Sequence, residues 1–397
     1  MSLNSVVSAE RIHISFFGMC NAGKSSLVNA VTGQALSIVS DVKGTTTDPV
    51  KKAMELLPLG PVVILDTPGL DDEGHLGSLR IEKAKQTLAQ TNIAVLVVDA
   101  HTGLQDMDKQ LINELKERRI PCIIALNKAD LLDERPLSED GSLYVSAVTG
   151  EGVADLKERL GQFAKQMEKP SVLIRDLLSP GDLVVLVTPI DEAAPKGRLI
   201  LPQQMVLRDV LDAHAMAIVC QTAELRDTLA SLGRKPRMVI TDSQAFAEVN
   251  RATPADIPLT SFSILMARYK GELDALTDGY CALEKLKDGD QVLISEGCTH
   301  HRQCNDIGTV KMPGWIEKIS QSKPVYHFTS GGDFPQDLTP YRVIVHCGGC
   351  MLNQAEMQHR VKMAADAGVP IVNYGIAIAG MNGILKRSLA LFEADRV

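Results

Sequence analysis

The chain has 397 residues, 45% hydrophobic and 23% charged, enough for two or three domains with cores of their own, and its 4% of aromatics makes those cores aliphatic. Its net charge of −8 argues against nucleic acid as the main partner, because an acidic surface gains nothing from counterion release. No apolar run approaches the ~20 residues that cross a bilayer, and Met1–Ile14 lacks the basic-then-apolar order of a signal peptide, so a cytoplasmic location is expected, with eight cysteines that are not paired as disulfides.

Short apolar runs alternate with longer amphipathic ones from the start. Arg11–Phe17, Val62–Leu65, Ile93–Val98, Cys122–Leu126 and Leu143–Val145 read as buried strands. Lys24–Thr32, Leu79–Gln90, Gln105–Arg118 and Val153–Met167 read as helices. This alternation predicts a mainly parallel sheet covered by helices on both faces. Lys169-Pro170 ends the domain, since a helix rarely continues into proline. A second α/β segment follows, with strands Leu183–Val187, Ala217–Cys220 and Met238–Thr241 and helices Gln203–Ala213, Ala223–Leu232 and Ser243–Asn250. It has no Gly-rich phosphate loop and no catalytic cluster, so a structural or oligomerisation role is expected. A third segment begins near Thr260–Ala275 and holds strands Gln291–Ile294 and Val343–Val345 and helix Gln354–Ala367. The expected domains are 1–169, 170–265 and 266–397, and no internal repeat is visible.

Gly18-Met19-Cys20-Asn21-Ala22-Gly23-Lys24-Ser25 fits the phosphate-loop pattern between a strand and a helix, which is the context that pattern requires. Backbone N–H groups from Gly18 to Ser26 are expected to face phosphate oxygens, Lys24 to reach the β- and γ-phosphates, and Ser25 to ligate Mg²⁺. Asp66-Thr67-Pro68-Gly69 follows an apolar strand. There Asp66 is expected to hold Mg²⁺ through water, and the Gly69 N–H to meet the γ-phosphate. Between them, Thr46 of Gly44-Thr45-Thr46-Thr47-Asp48 is expected to complete the Mg²⁺ shell, with Thr45 beside it. Asn127-Lys128-Ala129-Asp130 selects guanine, because the Asp130 carboxylate accepts from N1–H and the N2 amine that adenine lacks. Ser146-Ala147 offers a backbone N–H to the guanine O6. Each piece alone has an ordinary reading as a turn or a helix cap; four in this order make a GTPase. Residues up to about 165 resemble the TRAFAC class of GTPases, in its tRNA-modification and ribosome-assembly branch.

Leu70 stands where Ras-like proteins carry a glutamine that orients the attacking water. Slow intrinsic hydrolysis is expected. In similar GTPases an asparagine at the position of Asn21 helps to bind K⁺ with carbonyls of the following loop, here Ser40–Gly44, and the cation neutralises transition-state charge. Asp72 and Glu73 are weaker candidates for positioning water, being surface acids.

The other chemical feature is Cys298-Thr299-His300 with His346-Cys347-Gly348-Gly349-Cys350. A Cys-x-x-Cys loop after a strand aims two thiolates at one centre, and Cys298 follows another strand. If the strands are neighbours, their ends converge. A Cys₃His zinc site, an iron–sulfur cluster on three cysteines, and a set of buried thiols with capping histidines all fit this pattern, the last least well. Cys122 and Cys220 read as core residues, Cys20 lies in the phosphate loop, Cys281 has no evident partner, and Cys304 is an ambiguous extra ligand.

The combination of a GTPase domain, a motif-poor middle domain and a C-x-H…H-C-x-x-C site resembles the maturation GTPases of FeFe-hydrogenase, the HydF family, across essentially the whole chain. The resemblance implies an α/β P-loop GTPase domain with a mainly parallel sheet, then an α/β dimerisation domain and a C-terminal α/β metal-cluster domain. It also implies that Cys298, Cys347 and Cys350 hold a 4Fe–4S cluster, with His300 and His346 at the motif's histidine positions and the fourth iron ligand open. Members are homodimers or tetramers that bind GTP or GDP. They receive a 2Fe precursor from two radical-SAM maturases and deliver it to apo-hydrogenase. The contrasting expectation is an RNA-modification or ribosome-assembly GTPase with a structural zinc.

Overall fold

The computed structural model describes residues 8–34, 50–67, 86–134, 141–167, 172–189, 199–270, 273–297 and 306–393. The chain divides into two compact units, Met1–Lys169 and Pro170–Val397.

The first unit is built on a six-stranded sheet: β1 Ile12–Phe17, β2 Val50–Leu56, β3 Gly60–Asp66, β4 Ile93–Asp99, β5 Cys122–Asn127 and β6 Leu143–Tyr144. The order is β2-β3-β1-β4-β5-β6. Only the β2–β3 pair is antiparallel. Successive side chains of a strand face opposite sides, and β4 shows it: Ile93, Val95 and Val97 join Leu27, Val28 and Leu156 in one core, whereas Ala94, Leu96 and Val98 join Leu111 and Leu115 in another. Both faces are therefore covered, as the unbroken apolar runs predict. Helices Lys24–Thr32 and Val153–Met167 lie on the first face and Asp106–Glu117 on the second. Of the expected helix Leu79–Gln90, residues 86–90 are helical and the rest lie outside the described residues. Strand β2 was not anticipated. It is an edge strand, with Lys51, Lys52 and Glu55 exposed, and so lacks the apolar run that marks its neighbours.

The second unit contains two four-stranded sheets. One holds β7 Leu183–Val187, β8 Met216–Cys220, β9 Met238–Thr241 and β10 Leu259–Ser261 in the order β10-β9-β7-β8. The other holds β11 Gln291–Glu296, β12 Val325–Ser330, β13 Val343–His346 and β14 Ile371–Asn373 in the order β12-β11-β13-β14. Both are parallel throughout. In each the first and third strands are central and the second and fourth lie at the edges, so the sheets share one topology that no sequence repeat announces. Three strands escape the sequence pattern. β10 and β14 have three residues each, and β12 is an edge strand that leaves Val325 and Phe328 exposed.

One continuous apolar core spans both sheets. Helix Phe262–Tyr269 lies within it, with Phe262, Ile264, Leu265, Met266 and Ala267 buried, and runs unbroken through position 265. The last helix, Leu385–Glu393, is fastened to the β9–β10 connection by one side chain. The Arg387 guanidinium donates to Asn250 Oδ1 at 2.6 Å, to the Ile257 carbonyl at 2.9 Å and to the carbonyls of Thr253 and Pro254. Among the described residues no helix is long and apolar enough to cross a membrane.

Arg387→Ala removes several charged hydrogen bonds and leaves carbonyls of the 253–257 turn without their donor. It is expected to cost the second unit about 2–3 kcal/mol. Denaturant unfolding of the variant against the parent measures this.

Candidate functional site

In a parallel sheet every strand ends on the same edge, and functional loops collect there. In the first unit the loops after β1, β3 and β5 carry the motifs. Gly18 (φ +143°) leaves β1 in a conformation that L side chains rarely adopt, and a Cβ there would stand 2.1 Å from the Val97 carbonyl oxygen. Gly23 (φ +87°) caps helix Lys24–Thr32, and its Cβ would stand 2.3 Å from Asn127 Nδ2. Both positions need glycine for space as well as for backbone. Lys24 is buried and its Nζ donates to the carbonyls of Gly18 and Met19 at 3.0 and 2.8 Å, so the loop wraps its own cation.

The Ser25 hydroxyl donates to Asp66 Oδ2 at 2.7 Å. A hydroxyl from the first turn of helix Lys24–Thr32 and a carboxylate from the end of β3 thus meet at one point, and both are oxygen donors of the kind Mg²⁺ takes. Asp66 is 2% exposed and follows the buried run Val62–Leu65. Thr67 holds this strand end in place, its hydroxyl donating to the Phe16 carbonyl at 2.7 Å.

Asn127 has a structural role that its motif alone does not reveal. Its Nδ2 donates to the Ala22 carbonyl at 2.9 Å, and its Oδ1 accepts from the Ala147 N–H at 3.1 Å. One buried amide therefore ties the phosphate loop to the Ser146-Ala147 loop. Lys128 (φ +64°) pairs with Asp99 at 2.7 Å. Partial burial opposes the charged form of Asp99, but the Lys128 hydrogen bond and charge outweigh it and hold the carboxyl below its ordinary range. Asp130 is exposed, Ser146 is fully buried with its Oγ accepting from the Thr149 N–H, Asn21 (φ +63°) is exposed within the phosphate loop, and Ser26 lies in the first turn of helix Lys24–Thr32. Thr45, Thr46, Gly69, Leu70, Asp72 and Glu73 lie outside the described residues.

In the second unit the cysteine motif sits between β11 and β13. These strands are parallel neighbours, with Ser295 opposite His346. In this topology the chain leaves the two strands in opposite directions, which opens a crevice at their C-terminal ends. Here that crevice holds the loop 346–350. The Gly297 N–H, one residue before Cys298, donates to Cys347 Sγ at 3.0 Å, and the Gly349 N–H donates to the same sulfur at 3.3 Å. N–H donors aimed at sulfur favour a thiolate. Burial nevertheless pushes the Cys347 thiol up to about 11 in the metal-free protein, with those two N–H groups opposing. Burial raises Cys350 as well, opposed by the charge of Lys270. A metal on these sulfurs would offset that burial cost, because a coordinated thiol is deprotonated outright. Cys298, His300 and Cys304 lie outside the described residues.

His346 was expected among the metal ligands. Its Nδ1 lies 2.8 Å from the Cys347 carbonyl and its Nε2 3.1 Å from Arg360 Nη1. An arginine can only donate, so Nε2 accepts and Nδ1 carries the proton to the carbonyl. Both ring nitrogens are engaged within the protein, leaving no lone pair directed at a metal. Burial, and then the Arg360 charge, push the imidazole down to about 3, against the pull of the Cys347 carbonyl. Arg360 is itself 2% exposed and donates to Ser295 Oγ, the Gly331 carbonyl and Glu356 Oε1, with its guanidinium 4.9 Å from the Phe334 ring centre. Sequence reasoning missed this frame. Glu356 and Arg360 are four residues apart on a helix, the spacing of a surface ion pair.

Comparisons with known proteins follow the same division. The description "50S ribosome-binding GTPase" matches residues 13–128. The tRNA modification GTPase MnmE of Acetivibrio thermocellus is 26% identical over 215 residues, 51% of this chain and 46% of that one. GTPase Der of Sulfurimonas denitrificans is 37% identical over 126 residues, 31% of this chain and 25% of that one. The chain thus spans less than half the length of these curated relatives. The crystal structure of Aquifex aeolicus Era bound to GDP.AlF4- aligns with a TM-score of 0.35 at 19% identity, over 56% of this chain and 98% of that one.

The phosphate loop, the Ser25–Asp66 contact and the GTPase match define a TRAFAC-class GTPase domain. Residues 173–271 match the hydrogen maturase F dimerization domain and residues 274–391 its tetramerization domain. The chain belongs to the hydrogen maturase F family, HydF, and its last two domains support a homo-oligomer.

Asn127→Ala deletes two hydrogen bonds worth about 1 kcal/mol each. GDP affinity is expected to fall about thirtyfold, which titration with a fluorescent GDP analogue measures; Gly18→Ala is expected to abolish binding.

Proposed function

We propose that this protein is a GTPase scaffold that holds a 4Fe–4S cluster on Cys298, Cys347 and Cys350 and carries a 2Fe precursor to apo-FeFe-hydrogenase. The observation that carries this reading is the Gly297 N–H on Cys347 Sγ. It joins the segment bearing Cys298 to the Cys347–Cys350 loop, at the crevice of a sheet that lies within the family's tetramerization domain. Three cysteines suit a cubane with one iron left for an exchangeable ligand, and that open corner is where a precursor would dock. His346 orients the loop and is not a ligand in this reading; its Nδ1 proton fixes the Cys347 carbonyl. The radical-SAM maturases that supply the precursor and the hydrogenase that receives it are the proposed partners, in the cytoplasm. The region matched at 173–271 serves dimerisation and that at 274–391 cluster binding and tetramer formation.

In the GTPase domain, Ser25, Thr46 and Asp66 hold Mg²⁺, Lys24 and the Gly69 N–H meet the γ-phosphate, and Asp130 reads guanine. Asn21 helps to hold K⁺, which supplies positive charge that Leu70 cannot replace by orienting water. Loops held by the γ-phosphate relax once it leaves, and partner release follows that relaxation.

Anaerobic reconstitution with iron and sulfide is expected to give about four irons per chain and a reduced-state EPR signal. Serine at Cys298, Cys347 and Cys350 together should abolish both. A colourless protein with one tightly bound zinc would sink the cluster-carrier reading and favour a structural metal. Separately, GTP hydrolysis is expected to run about tenfold or more faster in K⁺ than in Na⁺, and Asn21→Ala to erase that difference. Equal rates in the two salts would remove the cation from the mechanism.

A further inference from the structure

The edge strand of a sheet presents a row of backbone N–H and C=O groups that can pair with another chain, and proteins blunt such edges with charge, brevity or cover. The edges of this chain differ in that respect. Strand β2 carries Lys51, Lys52 and Glu55. Strands β10 and β14 have three residues each, with helix Leu385–Glu393 packed against the first and helix Leu273–Asp278 against the second. Strand β12, Val325–Ser330, has six residues and none of them is charged. Val325 is 49% exposed and Phe328 39%. Its counterpart in the other sheet, β8, is likewise uncharged and exposes Met216 and Val219.

Backbone direction decides which residues of β12 face outward. The Val325 N–H donates to the Asp290 carbonyl, on the β11 side. Successive residues of a strand turn their N–H and C=O groups to alternate sides. Those of Tyr326, Phe328 and Ser330 therefore point away from β11, where no strand lies among the described residues. Phe328 is the middle one of the three. A half-turn about Phe328 sets a second copy antiparallel to the first, with Phe328 opposite Phe328 and Tyr326 opposite Ser330. Every one of these outward groups then has a partner. The same half-turn sets Lys323 opposite Asp333, just outside the strand at equal distances from Phe328, and both residues are exposed. The edge is thus complementary to itself in hydrogen bonding, apolar contact and charge.

We propose that β12 is a joint by which this protein binds a second copy of itself, pairing antiparallel with β12 of that copy into one continuous sheet. The inference rests on the oligomer part of the proposed function, since β12 lies within the region matched to the tetramerization domain. One strand pair is a weak contact. Two dimers joined by two such edges gain from the second contact, which forms within an assembly already linked by the first. The joint lies on the far side of β11 from the cysteine crevice, one strand away.

Sedimentation velocity of the full-length protein under reducing conditions, over a range of concentrations, measures the dimer–tetramer equilibrium. Phe328→Lys puts like charges opposite each other at the axis and is expected to raise the dissociation constant about a hundredfold. Lys323→Asp sets like charges opposite at the rim and is expected to raise it about tenfold, and adding Asp333→Lys to bring it back to within about threefold of the parent. The two rim positions are exposed, so they read the joint even if Phe328→Lys fails to fold. A parent that never exceeds a dimer at any concentration overturns the tetramer reading and this inference with it. A tetrameric parent matched by folded Lys323→Asp and Phe328→Lys variants overturns the inference alone. A loss in Lys323→Asp that Asp333→Lys does not restore sets β12 against a different surface and overturns the self-pairing.

Discussion

The cysteine site depends on one register, Ser295 of β11 beside His346 of β13. Parallel strands end on the same edge, so this pairing brings two segments more than forty residues apart in sequence to the same crevice. The Gly297 amide then falls within reach of Cys347 Sγ. A slip of one residue would turn His346 outward and move that amide off the sulfur. The same rule operates in the first unit. There the ends of β1, β3 and β5 deliver Gly18, Asp66 and Asn127 to one edge, and Ser25–Asp66 and Asn127–Ala22 are the hydrogen bonds that lock them.

Behind the cysteine loop lies a polar frame that an apolar core would seem to forbid. Arg360 is buried, and a buried charge is tolerated only where its hydrogen bonds are met. Here His346, Ser295, Gly331 and Glu356 take the guanidinium's donors and the Phe334 face takes its plane. Such a network is rigid because losing any member leaves another unpaired. The consequence is a histidine of fixed tautomer, and through it a Cys347 carbonyl of fixed direction. The histidine of this motif shapes the loop from behind.

The glycine positions of the phosphate loop, the aspartate at the end of β3 and the place of Asn127 after β5 were legible in the sequence because local geometry dictates them. A glycine with no room for a Cβ, or an aspartate at the end of an apolar strand, is visible as a residue type at a spacing. The central strands were legible for a related reason: burial on both faces writes an unbroken apolar run. The edge strands β2 and β12 wrote no such run, since water covers part of them. The frame around His346 was illegible on different grounds. Nothing in Glu356-x-x-x-Arg360 distinguishes a buried pair from a solvated one, and only tertiary packing decides. The Lys270 contact with the cysteine turn is subtler still, because it is made to a carbonyl, a group every residue carries.

The two sheets of the second unit sharpen what fold can and cannot say. They have the same strand order and the same parallel sense, so each has a crevice between its first and third strands. In the β11–β13 crevice the loop offers thiols. In the β7–β9 crevice the corresponding strand end is Thr241-Asp242-Ser243, and its carboxylate is spent on Gln203 at 2.7 Å, a contact that fixes helix Leu201–Asp212. Topology supplied two equivalent crevices, and the residues at the strand ends placed thiols in one and made the other a joint. Function therefore follows the residues at the strand ends and not the architecture they share. The middle domain, poor in motifs, is better understood as a support for the cysteine loop, with the Lys270 Nζ to Leu352 carbonyl and Asn373 Nδ2 to Ser263 carbonyl hydrogen bonds among its points of contact.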